Sequence, residues 1–435
     1  MMDVITLAVG FVLMLALMFL SLPVAVAIIA VGGLGGYLTM GPPMLDLWGG
    51  VVWGTLNNSV MTAIPLFMLL GEILLRGGIA DRMYDAMAAW LGRLPGGLLH
   101  TNIGTCTLFS ATSGSSVATA ATVGTIALPA LQSRGYPVSA SLGSLAAGGT
   151  LGILIPPSIN LLVFGSLANV SVGQLFIAGI VPGILMVALF SLYIAVAHSG
   201  AGRSSAAVAM TWRERVSYLK YLVPPLVIFG VVMGGIYGGV TTPTEAAAVA
   251  VIVALGFVWH NGKLNFALLE ACFRQAARTT GMVVLIITCA MLLNVTLAML
   301  GATQAVTQWV SSLGLSTFAL LALLVVFYLL LGMFMDAMSM LVLTVPIAVP
   351  VVVAVGVDPI WFGIFIIIMC EVALITPPVG MNLFVVQGIR TDGGSFSDVI
   401  WGALPYVFIM LGFTFLIMLW PDIVLWLPRT MSGGA

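Results

Sequence analysis

Residues 104–165 read GTCTLFSATSGSSVATAATVGTIALPALQSRGYPVSASLGSLAAGGTLGILIPPSINLLVFG and hold a single charged side chain, Arg134. Two features set this stretch apart from a plain membrane helix. One is a cluster of small polar residues, Thr112-Ser113-Gly114-Ser115-Ser116, between two apolar runs. The other is Gly148-Gly149, Gly152, Pro156-Pro157-Ser158 and Asn160, inside a run otherwise long enough to cross a bilayer. Each proline removes an N–H and crowds the preceding turn, so a helix does not pass smoothly through two of them. In lipid, the freed backbone groups need protein or water as partners. The pattern predicts a broken helix facing the polar tip of a re-entrant hairpin, an arrangement in which transporters hold ions with backbone carbonyls.

The stretch recurs. A shift of 221 carries Pro129 to Pro350, Gly135 to Gly356, Pro156-Pro157 to Pro377-Pro378 and Ser115 to Asp336, while Asn160 is echoed one residue out of register by Asn382. Upstream, Pro23 and Gly36 match Pro243 and Gly256 at a shift of 220. Two halves with the same pair of irregularities predict a pseudo-symmetric transporter with its site where the repeats meet.

Hydrophobic residues make up 61% of the chain and charged residues 6%, with a mean hydropathy of +1.21. Soluble domains carry about 25% charged residues, so the chain is an all-α polytopic membrane protein. Residues 135–202 and 279–335 contain no Asp, Glu, Lys or Arg. The alternating strands of a membrane barrel are absent. There is no basic patch for nucleic acid and no hydrophilic block for a soluble domain, so no nucleotide-binding or substrate-capturing domain is expected. The start, Met-Met-Asp, lacks the basic region of a signal peptide. Cys106, Cys272, Cys289 and Cys370 have no metal spacing and read as small apolar residues. His100, His198 and His260 lie near expected span ends and read as interfacial.

In chain order, the first repeat is expected over 1–202. It holds scaffold spans within 1–75, with a loop at 41–47 and a third span over about 50–75, then an amphipathic arm helix over 77–97. A hairpin over 98–131, a broken span over 138–165 and a span over 175–198 follow. The arm places Ile79, Met83, Met87 and Trp90 at helical spacing, the pattern of an interfacial helix. A connector, 203–220, leads to a second repeat over 221–435. Its parts are scaffold spans 221–299, an uncharged arm 301–315, a hairpin 317–353, a broken span 360–387 and a span 398–420.

Five crossings plus one hairpin per half make the repeat inverted. With the N-terminus outside, twelve of the thirteen Lys and Arg residues fall on the cytoplasmic side and only Arg429 does not. The positive-inside rule selects that orientation.

Oxygen donors converge in each half. The first set is the hydroxyls of Ser113, Ser115 and Ser116, the carbonyls of Gly149, Gly152, Ile155 and Pro156, and the amide of Asn160. The second set takes Gly332, Asp336 and Ser339 from the hairpin, and Ala373, Ile375, Thr376, Pro377, Gly380 and Asn382 from the break. Ser116, Ser158, Ser339, Pro378, Gly380 and Asn382 are the residues expected nearest a substrate. Such oxygens suit sodium. Small residues also let helices pack closely, but a facing break, repeated downstream, favours ion binding. Asp336 either ligates directly or stands wetted at its tip, since a carboxylate in lipid is costly. Glu371 and Glu245 are candidates for orienting N–H groups at helix starts, with Glu245 read mainly as a structural cap. Glu72 is expected to pair with Arg76. No Ser/His/Asp set, HExxH or phosphate loop is present. An intramembrane hydrolase using Ser115 or Asp336 lacks a base in the same elements.

RGGIADRMYDAMAAWLGRLPGGL, FSATSGSSVATAATVG, ILIPPSINLLVFG with SVGQLFIAGIVPG, TTPTEAAAVAV and VALITPPVGMNLFV together resemble the DctM-like large membrane subunit of tripartite ATP-independent periplasmic (TRAP) transporters. The resemblance covers nearly the whole chain. It implies a bacterial or archaeal inner-membrane secondary transporter with an elevator fold. Such a protein is driven by sodium, needs no other cofactor, and imports an organic anion such as a C4-dicarboxylate or sialic acid. It implies two partners, a periplasmic substrate-binding protein and a small four-span membrane subunit, the latter expected as a separate chain because no four-span extension precedes Met1. It also places sodium on Ser113, Ser115, Ser116, Gly149, Ile155, Pro156 and Asn160, and on Gly332, Asp336, Ala373, Thr376 and Pro377. The rival readings are a stand-alone ion-coupled anion transporter or antiporter needing no binding protein, and a channel.

Overall fold

The computed structural model describes residues 4–199 and 211–432, and every regular element among them is helical. The first part of the expected connector, residues 203–210, lies outside the described residues. The chain opens with α1 (Val4–Phe19), α2 (Val24–Ile28), a π-helical turn (Ile29–Gly33), α3 (Leu34–Met40), α4 (Pro43–Leu56) and α5 (Ser59–Arg76). Next come α6 (Ile79–Leu91), α7 (Leu98–Ser113), α8 (Ser116–Ser133), α9 (Val138–Thr150), α10 (Ile159–Ala168) and α11 (Val172–Ala197). From residue 212 on stand α12 (Trp212–Tyr218) and a 3-10 turn (Leu219–Tyr221), which make up the latter part of the connector, then α13 (Val223–Tyr237), α14 (Pro243–His260), α15 (Phe266–Met299) and α16 (Ala302–Ser312). The chain continues through α17 (Thr317–Gly332), α18 (Ala337–Ala354), α19 (Pro359–Leu374), α20 (Met381–Gly388), α21 (Phe396–Leu419) and α22 (Asp422–Ser432).

Among the described residues, six helices are long and apolar enough to cross a membrane: α5, α11, α14, α15, α18 and α21. The segment Trp212–Tyr237 makes a seventh if its 47° bend is counted within one span. Large apolar side chains such as Ile5, Leu38, Ile252 and Phe266 stand exposed on the outer helices. In a chain with this composition, that surface belongs to lipid.

The interior is made by the irregular helices. In α19 every residue from Trp361 to Leu374 is buried, and in α10 every residue from Ile159 to Leu167. A helix apolar all round sits in a core. Small residues set the closest crossings. A β-carbon on Gly143 of α9 would strike the carbonyl of Gly402 on α21, and one on Gly32 would stand 2.8 Å from Leu293 of α15.

Two local expectations fail. Residues 41–47 are not a loop, because α4 starts at Pro43. Proline is favoured in the first helical turn, where its missing N–H would have no partner anyway. The span expected over about fifty to seventy-five is two helices, separated at Asn57-Asn58, with the Asn58 side chain accepting from the Val60 N–H at 2.9 Å as the cap of α5.

Candidate ion and substrate site

The first tip lies between α7 and α8. Gly114 has a φ of 61°, a left-handed turn that glycine makes without a side-chain penalty. Ser115 caps α8: its hydroxyl accepts from the Ala118 N–H at 3.4 Å, and its carbonyl accepts from the Thr119 hydroxyl at 2.7 Å. The hydroxyls of Ser113 and Thr119 lie 3.1 Å apart. Ser113 and Ser116 are buried.

The first break lies between α9 and α10 and contains a cis Pro156-Pro157 peptide. Pro157 has no N–H to offer the Ile153 carbonyl four residues back. The Ser158 hydroxyl donates to that carbonyl instead, at 2.5 Å, and accepts from the Leu161 N–H at 3.4 Å as the cap of α10. No backbone N–H among the described residues donates to the carbonyls of Ile155 and Pro156. The break sits on the tip. A β-carbon on Gly152 would stand 2.7 Å from both the Ser115 carbonyl carbon and the Ser116 nitrogen, and one on Gly114 would stand 2.9 Å from the Pro157 oxygen.

The second pair repeats these parts with different chemistry. Asp336 caps α18, accepting from the N–H groups of Met338 (3.0 Å) and Ser339 (3.3 Å) and from the Ser339 hydroxyl. The second break also holds a cis bond, Pro377-Pro378. The Thr376 hydroxyl turns back to the Val372 carbonyl at 2.6 Å, and the Thr376 carbonyl accepts from the Gly380 N–H at 3.2 Å. A β-carbon on Gly332 would collide with Ala373. Ile375 and Ala373 are buried.

Both tips open on one cavity of about 550 Å³. Of the expected site residues, Ser115, Ser116, Asn160, Asp336 and Ser339 line it. Ser113, Gly149, Gly152, Ile155, Pro156, Gly332, Ala373, Ile375, Thr376 and Pro377 do not, and neither do Ser158, Pro378, Gly380 and Asn382 from the expected substrate set. The opposite wall is α15, through Thr279, Met282, Val283 and Ile286, joined by Pro23 and by Met68 of α5. These wall residues are not legible as a site in the sequence, because an apolar run in a membrane chain carries no positional signal. Asp336 is the one charged side chain among the described lining residues.

Asn382 does something else. It is fully buried, and its amide donates to the Ala146 carbonyl of α9 at 3.2 Å, so the helix after the second break is bonded to the helix before the first.

The acidic residues divide. Glu245 completes a capping box with Thr242, as expected, and Glu72 pairs with Arg76 at 2.9 Å. The expectation for Glu371 fails. It is fully buried within α19, and neither carboxyl oxygen has a hydrogen-bond partner among the described residues. The break follows it rather than precedes it, so the nearest free backbone groups are carbonyls, which offer a carboxylate nothing. The four cysteines are free and buried.

The family model described as the tripartite ATP-independent periplasmic transporter, DctM component, matches residues 11–423. The chain is similar to the C4-dicarboxylate TRAP transporter large permease protein DctM of Pseudomonas aeruginosa, with 36% identity over 407 residues, 92% of this chain and 94% of that one. It is also similar to the 2,3-diketo-L-gulonate TRAP transporter large permease protein YiaN of Escherichia coli, with 32% identity over 374 residues, 85% of this chain and 86% of that one. Its fold resembles that of the YdaH transporter of Alcanivorax borkumensis, with a TM-score of 0.64 at 17% identity, covering 88% of this chain and 89% of that one.

Proposed function

This chain belongs to the DctM family of tripartite ATP-independent periplasmic transporters, and on that premise we propose that it imports a small organic anion in symport with sodium. As a large permease subunit it is a multi-pass protein of the inner membrane, and a transport protein rather than an enzyme. In the proposed cycle a periplasmic binding protein delivers the anion, a small four-span subunit completes the membrane part, and the N-terminus faces the periplasm. The anion is a C4-dicarboxylate or a comparable carboxylate, the class suggested by the names of the similar permeases.

One observation carries this reading: a single cavity is lined by Ser115 and Ser116 from one tip and by Asp336 and Ser339 from the other. Behind each tip stands a break containing two prolines, which leaves carbonyl oxygens without N–H partners. Sodium placed at each tip would draw on those oxygens and on the serine hydroxyls. The first helical turns of α8 and α18 supply partial positive charge for a carboxylate, in a cavity that no Arg or Lys lines among the described residues. The α15 wall is mostly apolar, so the tips can slide along it without breaking polar contacts. That favours an elevator motion in which residues 1–202 and 221–435 act as inverted repeats.

The test is uptake of labelled dicarboxylates and sugar acids into proteoliposomes. It compares samples with and without an inward sodium gradient, the small subunit and the binding protein. Uptake that requires all three supports the proposal. Uptake by the membrane part alone makes this a stand-alone transporter, and uptake indifferent to sodium removes the coupling ion.

A further inference from the structure

We propose that the foot of the first arm helix, α6, is a binding pocket for the phosphate headgroup of an anionic phospholipid from the surrounding bilayer. A cavity of about 420 Å³ opens there between α6, the 3-10 turn before α13 and the end of α14. Its rim is cationic. The Arg82 guanidinium lies 5.5 Å from the centre of the Tyr221 ring, and the Lys220 ammonium lies 5.0 Å from the same centre. One aromatic ring thus has two cations within 5.5 Å of its centre, and both line a cavity in which an anion would be attracted by each.

Neither cation is spent on a carboxylate. Asp81 and Asp85 share α6 with Arg82, yet no ion pair joins Arg82 or Lys220 to any acid among the described residues. A second basic cavity, around Arg76, Arg274 and Arg278, differs on this point. There Arg76 is paired with Glu72 and Arg274 with Glu270.

A third cation adds to the imbalance. Gly78, just before α6, has a φ of 68°, and a β-carbon on it would strike the Lys263 ammonium. Lys263 therefore rests at a helix N-terminus, the end that carries partial positive charge. Lys263 does not line the cavity itself but adds positive charge beside Ile79 at its edge, and no ion pair among the described residues joins Lys263 to an acid.

The remaining lining selects lipid over free phosphate. Ile79, Val223, Pro224 and Phe257 give the pocket apolar walls, which a free anion would not use and a glycerol backbone with its acyl chains would cover. Trp259, exposed and next to His260 of the lining, is placed as interfacial aromatics are. Basic pockets between membrane helices are where acidic headgroups bind. The second arm, α16, has the sequence ATQAVTQWVSS, without a charge, so it offers no cation of its own to such a pocket.

The full chain would be examined by native mass spectrometry with phosphatidylglycerol, phosphatidylcholine and inorganic phosphate. Phosphatidylglycerol is expected to be retained and phosphatidylcholine lost. The double variant Arg82→Gln/Lys220→Gln should weaken phosphatidylglycerol retention about tenfold or more, while Arg274→Gln leaves it unchanged. Equal retention of both lipids, or retention untouched by the double variant, would overturn the proposal. So would displacement of the lipid by inorganic phosphate, which would mark a free-anion site. Should the double variant fail to fold, the unaltered chain decides: phosphatidylglycerol raises its Tm and phosphatidylcholine does not, and a Tm indifferent to phosphatidylglycerol refutes the pocket.

Discussion

Gly152 packs its Cα onto the peptide that joins Ser115 to Ser116, so that a β-carbon at 152 would stand 2.7 Å from the Ser115 carbonyl carbon. The neighbour is backbone and cannot rotate away. The position of the first tip is thereby tied to one missing methyl group in the break.

Gly152→Ala should therefore displace the tip rather than merely crowd it. Overpacking of this kind costs about 1–3 kcal/mol. The Tm should fall, and sodium-driven uptake should fall further than the stability loss explains. An Ala variant with unaltered uptake would show that tip and break need not touch.

Asp336 is a helix cap, and in the proposed reading it also faces an ion. Two substitutions separate these roles. Asn caps nearly as well as Asp, whereas Ala forfeits about 1 kcal/mol. Asp336→Asn should keep the Tm near that of the unaltered chain and shift the sodium concentration for half-maximal uptake, while Asp336→Ala lowers the Tm as well. Identical sodium curves for the Asp336→Asn variant and the unaltered chain would reduce Asp336 to a cap.

Glu371 makes the opposite prediction. An unpartnered buried polar group costs about 1–3 kcal/mol, and Glu371→Leu replaces it with an apolar side chain of similar size. Thermal unfolding in detergent should shift upward. A downward shift would reveal that the carboxyl has a partner the protein depends on.

The loop between α20 and α21 supplies a pH dependence. Its Arg390 guanidinium bonds Asp392 and, at 2.9 Å, Asp398, and the bond from Arg390 holds the Asp392 carboxyl below the usual aspartate range. A depressed folded value means the stabilisation is complete above the ordinary aspartate pKa and is lost as the pH falls through the lower, folded one. Limited proteolysis of this loop should accelerate on acidification over that range. The Asp392→Asn variant should be cut readily at every pH; if its cleavage still depends on pH, the titrating group lies elsewhere.

The irregular parts of the fold are legible in the sequence because irregularity in a membrane chain needs special residues. Ser113-Gly114-Ser115 and Pro156-Pro157 announce a tip and a break, and the structure puts interruptions at both places. Proline in the first turn of α4 reads as loop chemistry, because the same residue serves turns and helix starts. Glu371 is misplaced by sequence reasoning although the order is on the page: it comes before Pro377-Pro378, on the side where a helix ends and offers carbonyls rather than N–H groups. The bond from Asn382 to Ala146 and the α15 wall of the cavity join residues far apart in the chain, where no local pattern could point.

That Asn382 bond has a consequence for how occupancy at the two ends would be sensed. One amide couples the segment after the second break to the segment before the first, so a shift at either is felt at both. If ions bind as proposed, equilibrium sodium binding should follow a sigmoid, because the first ion prepares the place of the next. Asn382→Ala should flatten that curve toward a Hill coefficient of about one, leaving two sites that fill without regard to each other.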